Sequence, residues 1–297
     1  TRKESSAASD VYKRQVMTYA SSAKGGETPF PTNRRLRFSV ANSALRAAAS
    51  TIGYGLPAML AFALLWEMAP RLGWINALFF PPLSQVLASL GDMIASGLIV
   101  QHLGISLQRA AIGFLLAVAV AIPLGLLMGR YTLFERMSDF LVQTLRNTSQ
   151  FALLPVFILV LGIGEASKIA ITFYAAVFFL LVNTIVGVKS TDPLLLKAAR
   201  SMGTSDWDLF RKVILPSAIP SIVAGARLGV KSSLFSVIAA EMLAAQSGIG
   251  FLIQNSSLML QTDRMYAGIL TLTIAGLLLN YACLLYTSDA ADDSLRV

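Results

Sequence analysis

The chain has 297 residues; 55% of them are hydrophobic, only 13% are charged, and the mean hydropathy is +0.66. About a quarter of the residues in soluble globular domains are charged, so this composition excludes a soluble protein with an ordinary polar surface. A single His (His102) and a single Cys (Cys283) exclude an internal disulfide and a Cys-rich metal site. The sequence contains no GxxxxGKS/T phosphate-binding loop. We therefore expect a chain that binds no cofactor and hydrolyses no ATP itself.

Both ends of the chain differ from the rest. Residues 1–16 and the tail 283–297 resemble translated sequencing-adapter read-through, with Met17 as the expected native start. The tail carries three Asp residues and one Arg, whereas a cytoplasmic end is expected to carry Lys and Arg. The alternative is a natural, acidic, disordered tail. Function is therefore sought after the N-terminal tail, residues 1–46, and before about Ala282.

Six apolar segments alternate with polar ones. A helix of about 20 residues crosses the ~30 Å hydrocarbon core of a bilayer. The sequence thus predicts an all-α integral membrane protein with six transmembrane helices in a domain over residues 47–285. The cleanest spans are Ala47–Trp66, Ala110–Gly129 and Ile169–Val188, and the less uniform ones are Phe140–Gly164, Ser221–Leu243 and Met265–Leu285.

Lys and Arg are concentrated on one side of this arrangement. They crowd the N-terminal tail, the second connection and the fourth connection, whereas the other connections hold few. The positive-inside rule therefore places both termini and residues 189–220 in the cytoplasm. The net charge of +8 is then a signal of topology, or of contact with anionic membrane lipid, rather than of nucleic-acid binding.

The connection between the first two spans predicts a further helix on the outer face. Such a helix presents the pore mouth to a soluble binding protein or serves as an interfacial anchor, and the sequence does not separate the two. Its apolar residues follow Pro81 and Pro82 at helical spacing and are Leu83, Val86, Leu87, Leu90 and Ile94.

Residues 189–220 form a polar, basic segment between apolar runs, and their pattern predicts two short capped helices. Asp192, directly before a proline, is typical of a helix start. Gly203 is expected to end this helix in a left-handed conformation. Ser205 and Asp208 have the spacing of a capping box at the start of the second helix.

Each of these two helices has one apolar face. A capped helix–turn–helix in a loop of a membrane protein suits the docking of another protein, and small alanines allow a close approach. The alternative is that both faces pack against the chain's own spans. The first face consists of Leu195, Ala198, Ala199 and Met202; the second, expected to pack onto the spans before Pro216 and Pro220 end the helix, consists of Trp207, Phe210 and Ile214.

An alanine pair (Ala198, Ala199), Gly203 four residues later and Leu215–Pro216 twelve residues after the glycine form a recognisable motif. It resembles the cytoplasmic EAA loop of bacterial ABC importer permeases. Over about residues 55–282 the chain is similar to the nitrate/sulfonate/taurine permease group. Two positions depart from that pattern: Lys197 replaces the usual Glu and reverses a charge at the docking surface, and Val213 replaces Ile.

The resemblance implies a permease subunit that works as a homodimer in the bacterial inner membrane. Two separate ABC ATP-binding subunits would power it. A periplasmic or lipid-anchored substrate-binding protein would deliver a small solute, an anion such as a sulfonate, taurine or nitrate. The resemblance assigns docking of the ATP-binding subunit to Leu195, Ala198, Ala199, Met202, Gly203, Leu215 and Pro216.

Polar residues within the spans are candidates for the solute path. Arg227 and Lys231 lie one helical turn apart, ~9 and ~15 Å from Ser221, and a charge near mid-membrane costs ~2.5–3.5 kcal/mol unless it faces water or a partner. A cationic lining for an anion is one interpretation; snorkelling or pairing at a subunit interface is the other. Asn183 lines the path or packs between helices. Glu241 is expected to be a boundary residue.

An ion-coupled secondary transporter is the alternative function. It would need carboxylates within the membrane for ion or proton relay. The sequence offers Glu67 and Glu241, both near the ends of predicted spans, and no clear internal repeat. A membrane scaffold without transport activity would leave the capped loop unexplained.

Overall fold

The computed structural model describes residues 57–294, and their side chains as far as residue 282. The chain divides into a unit Thr1–Leu64, of which only residues 57–64 are described, and a unit Leu65–Val297. Most of the predicted first span, Ala47–Trp66, therefore lies outside the described residues. Within residues 57–294 the chain forms helices and no strands: α1 (57–71), α2 (Leu83–Ala95), α3 (Leu98–Arg130), α4 (Thr132–Asn147), α5 (Leu154–Leu161), α6 (Glu165–Lys189), α7 (Pro193–Ser201), α8 (Asp206–Leu209), α9 (Leu215–Ala244), α10 (Ile249–Leu258) and α11 (Thr262–Ser294).

Four helices of the described part are long and apolar enough to cross a membrane. They are α3, α6, the continuous helix Asp206–Ala244 and residues Thr262–Ala282 of α11. Each overlaps one predicted span, because a long, mostly apolar run has no favourable alternative to a helix in a bilayer. The described part of the chain is thus all-helical and suited to a membrane, and the total of six spans stays a prediction.

The predicted third span, Phe140–Gly164, is instead two helices, α4 and α5, separated by residues 148–153. Pro155 stands in the first turn of α5; it has no amide hydrogen and its ring collides with the carbonyl four residues earlier, so it is tolerated at the start of a helix but not in its interior. A single helix through both segments is therefore disfavoured. α4 is also too polar for an apolar span, since it contains Glu135, Arg136, Asp139 and Arg146.

α6 packs against both α3 and α9. A Cβ atom added at Gly125 of α3 would lie 2.7 Å from the Cβ of Thr184 on α6. A Cβ added at Gly225 of α9 would lie 2.7 Å from the Cβ of Asn183 on α6. Small residues let helices in membranes approach one another closely, and these two glycines fix the spacing of the three helices.

Glu67 joins α1 to α2. Its carboxylate accepts hydrogen bonds from the backbone N–H and the hydroxyl of Ser84, both at 2.9 Å, and pairs with Arg71 at 2.5 Å. The N-cap residue of α2, Pro82, offers no side-chain acceptor, so this carboxylate stabilises the positive end of the helix. The hydrogen bonds from Ser84, together with Arg71, lower the pKa of Glu67. α2 is the helix predicted after the two prolines, and its place on the outer face stays a prediction.

Candidate functional site

The segment 189–220 contains two short helices, α7 and α8, with the predicted caps. Oδ1 of Asp192 accepts a hydrogen bond from the N–H of Leu194 at 2.8 Å, and Oγ of Ser205 accepts one from the N–H of Asp208 at 3.2 Å. Gly203, in the turn between them, has a φ of 75°. Glycine adopts this left-handed conformation without the steric cost that other residues incur, so the direction of the turn depends on Gly203.

α7 presents apolar side chains at the surface of the subunit. Leu194, Leu195 and Met202 are 71%, 54% and 84% exposed, and Ala198 is exposed beside them. Ala199 is half-buried and packs against the apolar cluster beneath the loop. Of the four residues predicted to share a docking face, three are exposed and Ala199 is half-buried; their role in docking stays a prediction.

The second helix buries only part of the face that was expected. Phe210 is half-buried against the apolar cluster beneath the loop and Ile214 is buried in it, as predicted. Trp207 is 69% exposed and stacks on Phe210 with ring centroids 6.0 Å apart, so the prediction that Trp207 packs against the spans is wrong. Leu209 is buried in its place. The reason is a π-helical turn at Phe210–Ile214: residues five apart share a side of such a turn, which aligns Leu209 with Ile214.

The prediction that Pro216 and Pro220 end the second helix is also wrong, because α9 continues through both prolines to Ala244. A proline removes one backbone donor and its ring collides with the carbonyl four residues earlier. The wider π turn directly before Leu215 accommodates Pro216, the first of the two prolines. α8 and α9 thus form one continuous element that joins the loop to a span.

Side-chain contacts fix the loop against the helix ends. Arg130, at the end of α3, pairs with Asp206 at 3.2 Å, and the hydroxyls of Thr191 and Ser217 lie 2.7 Å apart. Exposed ion pairs contribute only about 0–1 kcal/mol, so apolar packing supplies most of the stabilisation. The buried residues of that cluster are Val188, Leu209, Ile214 and Ala218.

A cavity of about 580 Å³ lies at the break between α4 and α5. Its walls are the residues after α4, the middle of α6 and Ser232 of α9. The hydroxyl of Tyr174 on α6 donates a hydrogen bond to the carbonyl of Leu145 at 2.6 Å, and the hydroxyl of Ser232 donates one to the carbonyl of Ala175 at 3.0 Å. Further polar residues of the lining are Arg146, Asn147, Thr148, Ser149, Gln150 and Asn183.

Only one of the residues predicted for the solute path lines this cavity. Asn183 lines the cavity. Arg227 and Lys231 are half-buried on α9, do not belong to the lining, and make no ion pair with the described residues. Their role in the path stays a prediction. Sequence reasoning missed Arg146, although an arginine inside a predicted span is itself a signal of function.

A second polar cluster, the Arg109–Glu241 pair and its partners, lies at the other end of the bundle. The two side chains are 4% and 0% exposed, and Nη1 of Arg109 donates to Oε1 of Glu241 at 2.7 Å. Arg109 also pairs with Glu165 at 2.5 Å. Ser106 and the backbone N–H of Gly250 donate to the second oxygen of Glu241 at 2.7 and 3.1 Å. Every polar atom of the carboxylate is therefore satisfied, and Glu241, close to the end of α9 at Ala244, is held entirely by groups of the protein.

The turn between α9 and α10 closes over this cluster. Gly248 has a φ of 110°, and a Cβ there would lie 2.2 Å from the carboxyl carbon of Glu241. Its N–H donates to Nδ1 of His102 at 3.0 Å, so the single His is hydrogen-bonded and half-buried. The missed signal was the pairing of charges: a carboxylate in an apolar helix needs a cationic partner, and Arg109 directly precedes the predicted span Ala110–Gly129.

The sequence also matches a known protein family. The family of binding-protein-dependent transport system inner membrane components matches residues 121–286, a range that includes the capped loop and the cavity. The chain belongs to this family. It is accordingly a permease of the ABC importer type, from the nitrate, sulfonate and taurine group that its sequence resembles.

Individual relatives agree with this membership. The taurine transport system permease protein of Escherichia coli (strain K12) is 35% identical, over 72% of this chain and 80% of that protein. A permease protein named for aliphatic sulfonates transport in the same organism is 37% identical, over 71% and 80%. The solved MetNI methionine ABC transporter, in an inward-facing conformation, has a TM-score of 0.59 at 18% identity, over 66% of this chain and 97% of its own. The last similarity concerns the fold alone.

Proposed function

We propose that this permease forms the transmembrane path for a small anionic solute of the sulfonate, taurine or nitrate type. It couples that path to a separate ABC ATP-binding subunit through the segment 189–220. It works as a homodimer in the bacterial inner membrane, with both termini in the cytoplasm, and a periplasmic or lipid-anchored substrate-binding protein supplies the solute. The names of its taurine and sulfonate relatives support the solute class.

The exposed apolar surface of α7 carries this proposal. Leu195 and Met202 are large apolar side chains that nothing in the described part of the chain covers, and exposed apolar patches with polar rims mark interaction sites. Ala198 lies between them and lets a partner helix or groove approach closely. In the docked complex these three side chains contact the ATP-binding subunit, Ala199 and Gly203 set the orientation of α7, and Leu215 and Pro216 begin the helix that receives the movement.

Coupling follows from the continuity of this region. The ATP-binding subunit moves α7 when it binds and releases nucleotide, and α8, the π turn and α9 transmit that movement as one element into the bundle. Packed helices switch between discrete arrangements rather than deforming continuously. Asn183 on α6, together with Arg227 and Lys231 on α9, then lies along the path that opens to alternate sides.

The ion-coupled secondary transporter is disfavoured by the state of Glu241. A relay carboxylate must gain and lose a proton or ion within the membrane. Glu241 is instead held by Arg109, Ser106 and a backbone N–H with full burial. Because fixed donors occupy both oxygens of the carboxylate, this site is suited to structure rather than to relay.

Affinity purification of the full chain in mild detergent tests the docking surface. We expect an ATP-binding subunit to co-purify with the unchanged chain and to be lost when Leu195→Glu and Met202→Glu are combined, because two charges enter an apolar interface. Leu87→Glu is the matched control, since Leu87 is an exposed leucine on α2 and should leave co-purification unchanged. An ATP-binding subunit retained by the double variant would contradict the proposed surface.

A further inference from the structure

We infer that the cavity between α4, α5, α6 and α9 is the station at which the transported anion binds, and that Arg146 is the side chain that recognises its charge. The inference rests on the proposed function, because it assigns the solute of that function to a place in the bundle. It adds a residue and a ligand chemistry: a small organic oxyanion with a short apolar tail, such as an alkanesulfonate.

The cavity lies at mid-depth in the bundle. Tyr174 is nine residues after the start of α6 at Glu165, and Asn183 is six residues before its end at Lys189. At ~1.5 Å per residue these positions fall ~14 and ~27 Å along a helix of ~37 Å. Both residues line the cavity, which therefore occupies the middle of a helix that is long and apolar enough to cross the membrane.

The backbone at this depth is irregular. Residues 148–153 separate α4 from α5 and include three polar side chains of the lining. Non-helical backbone within a membrane is tolerated only where protein covers it or where it lines a water-filled cavity. In transporters, interrupted helices near the midplane are common places for solute binding. Packing of the bundle does not require this break between α4 and α5, whereas a solute-binding site accounts for it.

The charge of the lining selects an anion. Arg146 is the positively charged residue of the described lining, and none of the described lining residues is acidic. Arg146 makes no ion pair within the described part of the chain, whereas Arg109 is paired with both Glu165 and Glu241. An arginine at mid-membrane is costly unless it faces water or a partner. Its planar fork of donors fits the oxygens of a carboxylate, sulfonate or phosphate better than an ammonium does.

The aromatic residues of the lining indicate the chemistry of the rest of the ligand. Tyr174, Phe178 and Phe179 of α6 supply aromatic side chains to the lining, and the rings of Tyr174 and Phe178 pack edge-to-face with centroids 5.1 Å apart. A volume of about 580 Å³ falls within the range of roughly 300–1,000 Å³ that is usual for small-molecule sites. A ligand whose oxyanion group binds Arg146 and whose short carbon tail packs on the aromatic side chains fits both parts of the lining.

Charge-selective labelling tests this assignment with an alkanesulfonate as the probe. A cysteine replaces Ser232 in a Cys283→Ser background, with the full chain in lipid nanodiscs. Two thiol reagents are compared, sulfonatoethyl methanethiosulfonate and its trimethylammonium-ethyl counterpart, each relative to uncharged methyl methanethiosulfonate. We expect the ratio of anionic to cationic labelling rates to fall roughly tenfold in Arg146→Gln, because one charge attracts the first reagent and repels the second.

Two further variants separate charge from folding. Arg146→Lys keeps the charge and should therefore keep most of the ratio of anionic to cationic labelling rates. Arg136→Gln removes an exposed arginine of the same helix that lies outside the cavity, and it should leave that ratio unchanged. An unchanged ratio in Arg146→Gln would overturn the inference. So would a fall in Lys231→Met without one in Arg146→Gln, which would move charge recognition to α9. The labelling needs no ATP-binding subunit, so its failure is distinct from a failure of docking.

Discussion

The pair Arg109–Glu241 shows how a single charge inside an apolar helix constrains its surroundings. Both side chains are buried, and their partners come from α3, α6, the turn after α9 and the start of α10. Breaking such a pair by removing one member typically costs 3–5 kcal/mol, whereas replacing both members is often neutral. The pair therefore joins four helices, α3, α6, α9 and α10, at the end of the bundle away from the capped loop, and each charge makes the other necessary.

Arg109→Met should destabilise the chain by about 3–5 kcal/mol, since it leaves Glu241 buried without a cation. The second change Glu241→Gln should recover a large part of that loss, because the amide oxygen still accepts from Ser106 and Gly250. Thermal unfolding of the full chain in one detergent measures both effects. Arg136→Met serves as the control, because Arg136 is exposed. Equal unfolding temperatures for Arg109→Met and Arg136→Met would show that the buried pair does not stabilise the fold.

At the scale of the element, the loop is an exposed helix on a fixed base, and Gly203 sets the angle between α7 and α8. A Cβ at Gly203 would meet nothing within 4 Å, so the cost of a substitution there comes from its φ of 75° alone. That cost is about 1–2 kcal/mol for an ordinary residue and is smallest for Asn.

Gly203→Val should therefore leave a folded permease whose turn is distorted and whose ATP hydrolysis is uncoupled from uptake, while Gly203→Asn retains coupling. Proteoliposomes that contain the complete transporter allow uptake of a panel of short sulfonates and nitrate to be compared with ATP hydrolysis. Gly91→Val is the matched control, because Gly91 also has free space around it and lies in a helix without a positive φ. Undiminished uptake by Gly203→Val would contradict the role of the turn.

The difference between what could and could not be predicted from the sequence follows the range of the interactions. The caps at Asp192 and Ser205 and the turn at Gly203 are decided by neighbours within a few residues, so residue types sufficed. The prediction for Trp207 was wrong because a π turn shifts the helical period and buries Leu209 instead, and the local sequence pattern does not indicate such a turn. The partners of Glu241 come from residues more than 100 positions away in the case of Arg109, and only the packed bundle brings them together.

At the scale of the molecule, one copy of the chain leaves a polar cavity incompletely covered. The cavity reaches the surface of the subunit, and its lining includes Arg146 and the irregular residues after α4. Lipid cannot satisfy polar side chains or free backbone groups. A second membrane subunit that covers this side removes the penalty. A second copy of the same chain is the partner that we expect, because twofold symmetric dimers are the commonest homo-oligomers among soluble proteins.

The assembled transporter should therefore contain two copies of this chain. One fluorophore per chain, attached to the purified complex with its ATP-binding subunit, allows copies to be counted by photobleaching, and two steps are expected in most complexes. If Arg146 lies beside the second copy, a cysteine at Ser149, an exposed residue of the cavity lining, should form a crosslink between copies more readily than one at Leu87 on α2. Complexes with a single bleaching step would instead indicate a heterodimer, in which another permease covers the cavity.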